Sequence, residues 1–340
     1  MVKFVFSLSV LQQWSHFQNK IMTAMRTIPL VDLSTFAQGD AQSRAAFVAS
    51  LGDAFHKIGF VGVTNHGISK DLIENFYTAA KAFFALPEQV KKKYEIEGSA
   101  GQRGYTSFGR EHAKDSQVAD LKEFFQIAQE VSSNDPLHEL YPDNPDVEET
   151  PDFLKYGREL YRAFESTGGL LLQAIALHLH LPQDYFQDKI DKGSSILRAI
   201  HYPPISREPA SAIRAERHED INLITLLVGA SAGGLQLLNM YEEWLDIVPE
   251  DDEIVINVGD MLQRLTNNYL KSTTHRVVNP PRELWHLPRL SIPFFLHPKP
   301  DMDLSVLPSC VTHDRPVAYE SITAGAYLDE RLREIGLKKS

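Results

Sequence analysis

Over the first 190 residues the apolar positions recur mainly at helical spacing; beyond residue 195 they fall into short runs divided by turns. Ile28-Pro29-Leu30-Val31-Asp32-Leu33 predicts a short first strand. From about Ser43 to Lys57, the residues Phe47, Leu51, Ala54, Phe55 and Ile58 form one stripe of an amphipathic helix. Phe60-Val61-Gly62-Val63 predicts a strand, and Asn65-His66-Gly67 a turn. Ser69 offers a cap to a second helix carrying Leu72, Ile73, Phe76, Ala80 and Phe83, and Pro87 opens one more short helix. Gly98 to Gly109 is rich in Gly and Ser and predicts a loop, and residues 132–151, with four prolines and several acids, a surface connection. Phe153, Tyr156, Leu160, Phe164, Leu171 and Ile175 predict a long helix over Asp152–His178, bent near Gly168-Gly169. Six β-rich runs follow: Ser195–Tyr202, Ile221–Val228, Gly234–Leu238, Ile254–Val258, His275–Val278 and Leu290–Phe295. Many short strands at close spacing indicate a sandwich or barrel, here a jelly roll backed by an N-terminal helical layer.

Length and composition narrow the function. The chain has 340 residues, enough for one large core with a helical layer, and 43% hydrophobic with 23% charged residues is ordinary for a globular protein. A net charge of −11 argues against nucleic acid as a partner, and the basic run Lys91-Lys92-Lys93 reads as a solvated helix end. Cys310 is the single cysteine, which excludes an intrachain disulfide and a multi-thiolate zinc site. No apolar run approaches the roughly 20 residues needed to span a bilayer. Lys3 followed by Phe4-Val5-Phe6-Ser7-Leu8 has the flavour of a secretory leader, but no small-residue cleavage site follows. The expectation is a disordered extension over residues 1–25, or a true start at Met22 or Met25, in a cytoplasmic protein.

Five residues in three places carry the chemistry. His218-Glu219-Asp220 contains an H-x-D triplet, a motif that alone occurs by accident. In a strand, residues i and i+2 share a face, so His218 and Asp220 can aim at one cation. His275, in Thr273-Thr274-His275-Arg276-Val277, can supply a third ligand from across the barrel; such a residue taken singly is more often a hydrogen-bonded strand residue, and the company of His218, Asp220, Arg289 and Ser291 reverses that reading. Two His and one carboxylate are the set that holds non-haem Fe(II) with open positions. Glu219 points the other way, and His201, His286 and His297 have no comparable constellation and read as structural or exposed. Arg289 and Ser291 also share a strand face, opposite Leu290 and Ile292. An inward Arg needs an anion, either a structural carboxylate or the carboxylate of a bound molecule.

These residues resemble the isopenicillin N synthase-like family of non-haem iron oxygenases, which includes many 2-oxoglutarate-dependent dioxygenases. The resemblance rests on His218-Glu219-Asp220-Ile221-Asn222-Leu223-Ile224-Thr225, Gly234-Leu235-Gln236, Asn257-Val258-Gly259-Asp260, Leu265-Thr266-Asn267-Asn268-Tyr269, His275-Arg276-Val277 and Arg289-Leu290-Ser291-Ile292-Pro293-Phe294-Phe295. Ile28-Pro29-Leu30-Val31-Asp32, Gly59-Phe60 and Asn65-His66-Gly67-Ile68 extend it to the N-terminal half, so it spans roughly residues 26 to 330. It implies a mainly β fold, a double-stranded β-helix (jelly roll) with an N-terminal helical layer. The implied division is an oxygenase region over 26–130, a connection and long helix over 131–194, an Fe(II)/2-oxoglutarate domain over 195–300 and a C-terminal tail and helix over 301–340. It further implies that His218, Asp220 and His275 ligate Fe(II), that Arg289 and Ser291 bind the distal carboxylate of 2-oxoglutarate with Tyr202 close by, and that Arg103, Tyr105 and Phe295 line the substrate pocket. The implied reaction takes O2 and 2-oxoglutarate, yields succinate and CO2, and oxidises a C–H bond of a small molecule, by hydroxylation as the default. A monomer or weak homo-oligomer, binding neither nucleic acid nor membrane, is expected.

Two departures from the family stand out. Ile200 stands where many members have asparagine, and the segment between His275 and Arg289 is lengthened by Arg282-Glu283-Leu284-Trp285-His286. An isopenicillin N synthase-type oxidase, which needs no 2-oxoglutarate, is the alternative within the same fold, and a non-catalytic metal- or ligand-sensing barrel the alternative outside it. Because residues 1–21 show no strand, cap or amphipathic period, a chain starting at Met22 should melt close to the full-length temperature with similar activity. A loss of several degrees in a thermal melt would show that the extension docks on the core.

Overall fold

The computed structural model describes residues 28–111, 119–209, 212–250 and 252–338; the expected N-terminal extension lies outside them. The helices are α1 (Leu33–Ala37), α2 (Ala41–Lys57), α3 (Lys70–Phe84), α4 (Glu88–Lys91), α5 (Pro151–His178), α6 (Gln187–Ile190), α7 (Asp260–Leu265) and α8 (Ala324–Glu334). The strands are β1 (Leu30–Asp32), β2 (Phe60–Thr64), β3 (Gly104–Thr106), β4 (Glu123–Ala128), β5 (Ile196–Tyr202), β6 (Ala215–His218), β7 (Ile224–Val228), β8 (Leu235–Leu238), β9 (Trp244–Asp246), β10 (Ile254–Val258), β11 (His275–Val277) and β12 (Arg289–Leu296). They form an eight-stranded sheet, β1-β2-β10-β7-β12-β5-β4-β3, facing a four-stranded one, β6-β11-β8-β9. This is the expected jelly roll with a helical layer on one side.

Local signals explain the helices. Ser69 Oγ accepts from the Leu72 amide and Asp40 from the Ser43 amide, each satisfying an otherwise orphaned donor. The long α5 runs unbroken through Gly168-Gly169; a Cβ at Gly168 would lie 2.3 Å from Leu296 Cδ1, so this glycine lets the helix lie against β12. Four strands escape the hydrophobic pattern. The expected 98–109 loop contains β3, while β4, β6 and β9 have no counterpart among the predicted runs. β4 is missed because Lys122, Phe124 and Gln126 face one way and Glu123, Phe125 and Ile127 the other, both faces mixing polar and apolar residues.

The large sheet is buried on both sides. Ile224, Leu226, Val228, Ile292, Phe294 and Leu296 join the main core under the helices, with Phe294 stacked on Phe164 at 5.3 Å and edge-on to Tyr161 at 5.0 Å. The opposite face meets the small sheet through a lesser cluster that includes Phe60, Phe124, Leu237 and Val277. Among the described residues no helix is long and apolar enough to cross a membrane. Phe294→Ala should destabilise by about 3–5 kcal/mol, since a fully buried ring is replaced by a cavity. The midpoint of urea unfolding measures this, and a change below about 1 kcal/mol would show that the helical layer collapses into the gap.

Candidate active site

His218 ends β6 and His275 begins β11, and the two stand directly opposite in the antiparallel pair. Their rings lie 4.4 Å apart. The third candidate ligand thus comes from a neighbouring strand, not from across the barrel. Asp220 also departs from expectation, for the strand stops at His218 and the carboxylate projects from the turn that follows. Its Oδ1 lies 4.0 Å from His218 Nε2 and 3.8 Å from His275 Nε2. One donor atom from each residue falls within 4.8 Å of the others.

Each of the three is held by its far atom. The His218 Nδ1 contacts the Glu216 carbonyl at 2.6 Å and the His275 Nδ1 contacts the Thr273 carbonyl at 3.1 Å, so Nδ1 carries the proton and the Nε2 lone pair is free. Thr225 Oγ1 at 2.6 Å and Asn257 Nδ2 at 2.7 Å donate to Asp220 Oδ2, leaving Oδ1 unengaged. Gly59, at φ +78°, admits the chain leading to His275: a Cβ there would stand 2.3 Å from the Lys271 carbonyl oxygen. Burial pulls the His218 pKa down, which favours its neutral ring, and the adjacent imidazoles pull that of Asp220 down against its own burial, which favours the carboxylate. Three convergent donor atoms on two imidazoles and a carboxylate fit a small divalent cation of the Fe(II) type.

The cluster opens into a cavity of about 750 Å³. Across it on β12, Arg289 and Ser291 both face inward, with Tyr202 opposite Arg289 on β5. Arg289 Nε donates to the Ala232 carbonyl at 3.0 Å, while its NH1 is buried without a hydrogen-bond partner among the described residues. A buried guanidinium with an idle donor is able to take an anion.

The remaining sequence candidates divide. Phe295 lines the cavity. Tyr105 does not: it pairs across to Phe125 on the face turned to the helices, and its hydroxyl donates to Glu123. Arg103 is likewise turned away, donating to Asn144 Oδ1 at 3.0 Å and the Gln129 carbonyl at 2.9 Å; its neighbour Gln102 reaches the cavity instead. His297, expected to be structural or exposed, is a buried cavity residue. Sequence reading also missed a buried ion cluster on the cavity wall. Lys122 Nζ lies 2.6 Å from Glu111 and 2.8 Å from Asp120, and Arg198 NH1 lies 3.2 Å from Glu111. Arg198 also faces the rings of Phe124 and Phe295 at 4.2 and 5.1 Å. The one available signal was the i, i+2 spacing of Lys122, Phe124 and Gln126.

Known proteins agree with this arrangement. Residues 28–149 match the family described as non-haem dioxygenase in morphine synthesis N-terminal, and residues 193–298 match the 2OG-Fe(II) oxygenase superfamily. A proline hydroxylase of Petromyces alliaceus is 33% identical over 317 residues, covering 89% of this chain and 97% of the relative. The chain belongs to the 2OG-Fe(II) oxygenase superfamily. A 2OG-Fe(II) oxygenase family protein of Caulobacter crescentus is 42% identical, with a TM-score of 0.82 over 92% of this chain and 100% of that one. A full-length Neurospora crassa protein solved in complex with alpha-KG (2-oxoglutarate) is 30% identical, with a TM-score of 0.78 over 90% and 96%. This oxygenase is therefore a non-haem, Fe(II)- and 2-oxoglutarate-dependent dioxygenase, and these relatives do not favour the oxidase alternative.

Burial lowers the pKa of His297 to about 4, so the folded oxygenase keeps this ring neutral where the unfolded chain protonates it. The depressed value means that stability falls as pH drops from about 6.5 towards 4. Between pH 7 and pH 5 the single group accounts for about 2 kcal/mol. His297→Asn should flatten that part of the profile, as read from urea midpoints at the two pH values; an unchanged slope would place the acid sensitivity elsewhere.

Proposed function

We propose that this oxygenase hydroxylates an unactivated C–H bond of a small polar molecule. Fe(II) would be held by His218, Asp220 and His275, and the distal carboxylate of 2-oxoglutarate by Arg289 and Ser291 with Tyr202 beside it. One observation carries the reading. Three unengaged donor atoms converge at one wall of the cavity, and a buried guanidinium with an idle nitrogen lines it from another strand. Held at the triad, Fe(II) would supply the redox chemistry that couples O2 and 2-oxoglutarate to succinate, CO2 and an oxidised substrate.

The chain's own part is to bind, orient and exclude water. The carbonyls of Glu216 and Thr273 fix the ring orientations, and Thr225 and Asn257 aim the carboxylate. Phe60 stands edge-on to His275 at 5.6 Å and, with Leu235 and Val277, keeps that side of the triad apolar. The primary substrate would lie against the wall formed by Phe295, Arg198, Gln126 and Glu111. That wall offers one flat apolar surface with both donors and acceptors at its edge, which suits a polar molecule better than a hydrocarbon skeleton. Screening polar small molecules for substrate-stimulated succinate formation tests this, and stimulation confined to apolar compounds would overturn it.

His275→Ala should leave a folded protein that retains little Fe(II), because two ligands compete poorly with water for a labile cation. Metal analysis of purified protein decides it, and equal iron content in mutant and parent would make His275 a plain strand residue. Arg289→Ala should raise the KM for 2-oxoglutarate by about one to two decades with iron content preserved, the loss expected for a charge-assisted contact of about 1.5–3 kcal/mol. Turnover with O2 alone and no succinate would instead assign the anchor to the substrate's own carboxylate.

A further inference from the structure

A second buried arginine stands behind the proposed co-substrate anchor. Arg214, one residue before β6, is 2% exposed, and its guanidinium lies 5.9 Å from the centre of the Tyr202 ring. Arg289, 1% exposed, lies 5.1 Å from the same ring. Arg214 NH2 donates to the Leu287 carbonyl at 3.1 Å, while its Nε is buried with no partner among the described residues. The carbonyl comes from the lengthened segment between β11 and β12. Asn279 fastens that segment to the Ala212 carbonyl at 2.9 Å, and its Trp285 carbonyl accepts from the Ile205 amide at 2.9 Å.

Two buried cations on one tyrosine ring are an unfavourable pair unless an anion joins them. Burial and the like charge of Arg289 bring the Arg214 pKa down to about 10, so it remains protonated at neutral pH. Among the described residues neither guanidinium hydrogen-bonds to a carboxylate; the acceptors are the Leu287 and Ala232 carbonyls. The pair therefore leaves a place for the negative charge of a ligand. A carboxylate on Arg289 sits in the field of both guanidinia, whereas a ligand without one gains nothing from Arg214.

Resting on the assignment of Arg289 and Ser291 as the 2-oxoglutarate anchor, we propose that Arg214 is a positioning residue that acts through the Arg289–Tyr202 pair. It supplies a second positive charge that selects a 2-oxo acid bearing a distal carboxylate over one that lacks it. Arg214 does not line the cavity, so the effect is electrostatic and not a direct contact.

Equilibrium binding tests this without turnover. Anaerobic calorimetry on the Fe(II)-loaded full chain compares 2-oxoglutarate with 2-oxobutyrate, which has no distal carboxylate, for the parent, Arg214→Met and Arg214→Lys. Arg214→Met should weaken 2-oxoglutarate by about tenfold and leave 2-oxobutyrate unchanged, and its ligand-free melting temperature should hold or rise as the repulsion with Arg289 is relieved. Arg214→Lys, which keeps the charge, should bind 2-oxoglutarate within about threefold of the parent. Equal weakening of both ligands, or a lower ligand-free melting temperature with 2-oxoglutarate affinity intact, would make Arg214 a brace for the lengthened segment and overturn the proposal. Failure of both variants to fold would do the same. A parent that binds the two acids alike would instead remove the anchor assignment itself.

Discussion

One strand register underlies the site. β6 and β11 pair so that His275 faces His218, and a slip of a single residue would turn one imidazole out of the barrel. That register is fixed from outside the small sheet. Gly59 lets residues 271–273 pass close over the chain, and Thr273, which donates to the Ile58 carbonyl at 2.6 Å, lends its own carbonyl to His275. Asp220 then ties the sheets together, because the groups that hold its Oδ2 belong to β7 and β10 of the large one. The spacing of the three candidate ligand atoms is thus set by how the two sheets close on each other.

Much of this was legible in the sequence, and for a physical reason. Strand alternation is strict, so Arg289 and Ser291 could be assigned to the face opposite Leu290 and Ile292, and the barrel follows that assignment. The Leu-Thr-Asn-Asn-Tyr run was visible as a motif but not as a device. Asn267 and Asn268 adopt φ of 53° and 63°, and Asn267 bonds the carbonyls of Arg315 and Pro316, so the run clamps the C-terminal segment. What failed depended on geometry outside any local window. Arg103 and Tyr105 were placed by loop position, yet Tyr105 turns towards the helices and Arg103 towards Gln129 and Asn144; His297 was set aside, yet it lies one residue past the strand that carries Arg289 and Ser291.

The cavity's charge is organised differently from that of the whole molecule. A chain with a net charge of −11 nevertheless sets Lys122, Arg198 and Arg289 around one chamber and buries Arg214 behind it. Glu111 answers two of these cations, which hold its pKa near 2 despite its burial. Such pairs add little net stability, because desolvation offsets the attraction. Their value is directional: each charge is already oriented before any ligand arrives, so little reorganisation is needed on binding.

β12 assigns its two faces to different tasks. Leu290, Ile292, Phe294 and Leu296 bind it to the helical layer, while Arg289, Ser291, Pro293 and Phe295 look into the chamber. Stability and chemistry therefore draw on alternate residues of the same eight. A lineage can exchange Phe295, or its neighbours on β4 and β5, without loosening the packing that keeps the barrel shut. One scaffold can in this way drift among substrates while its iron centre stays still.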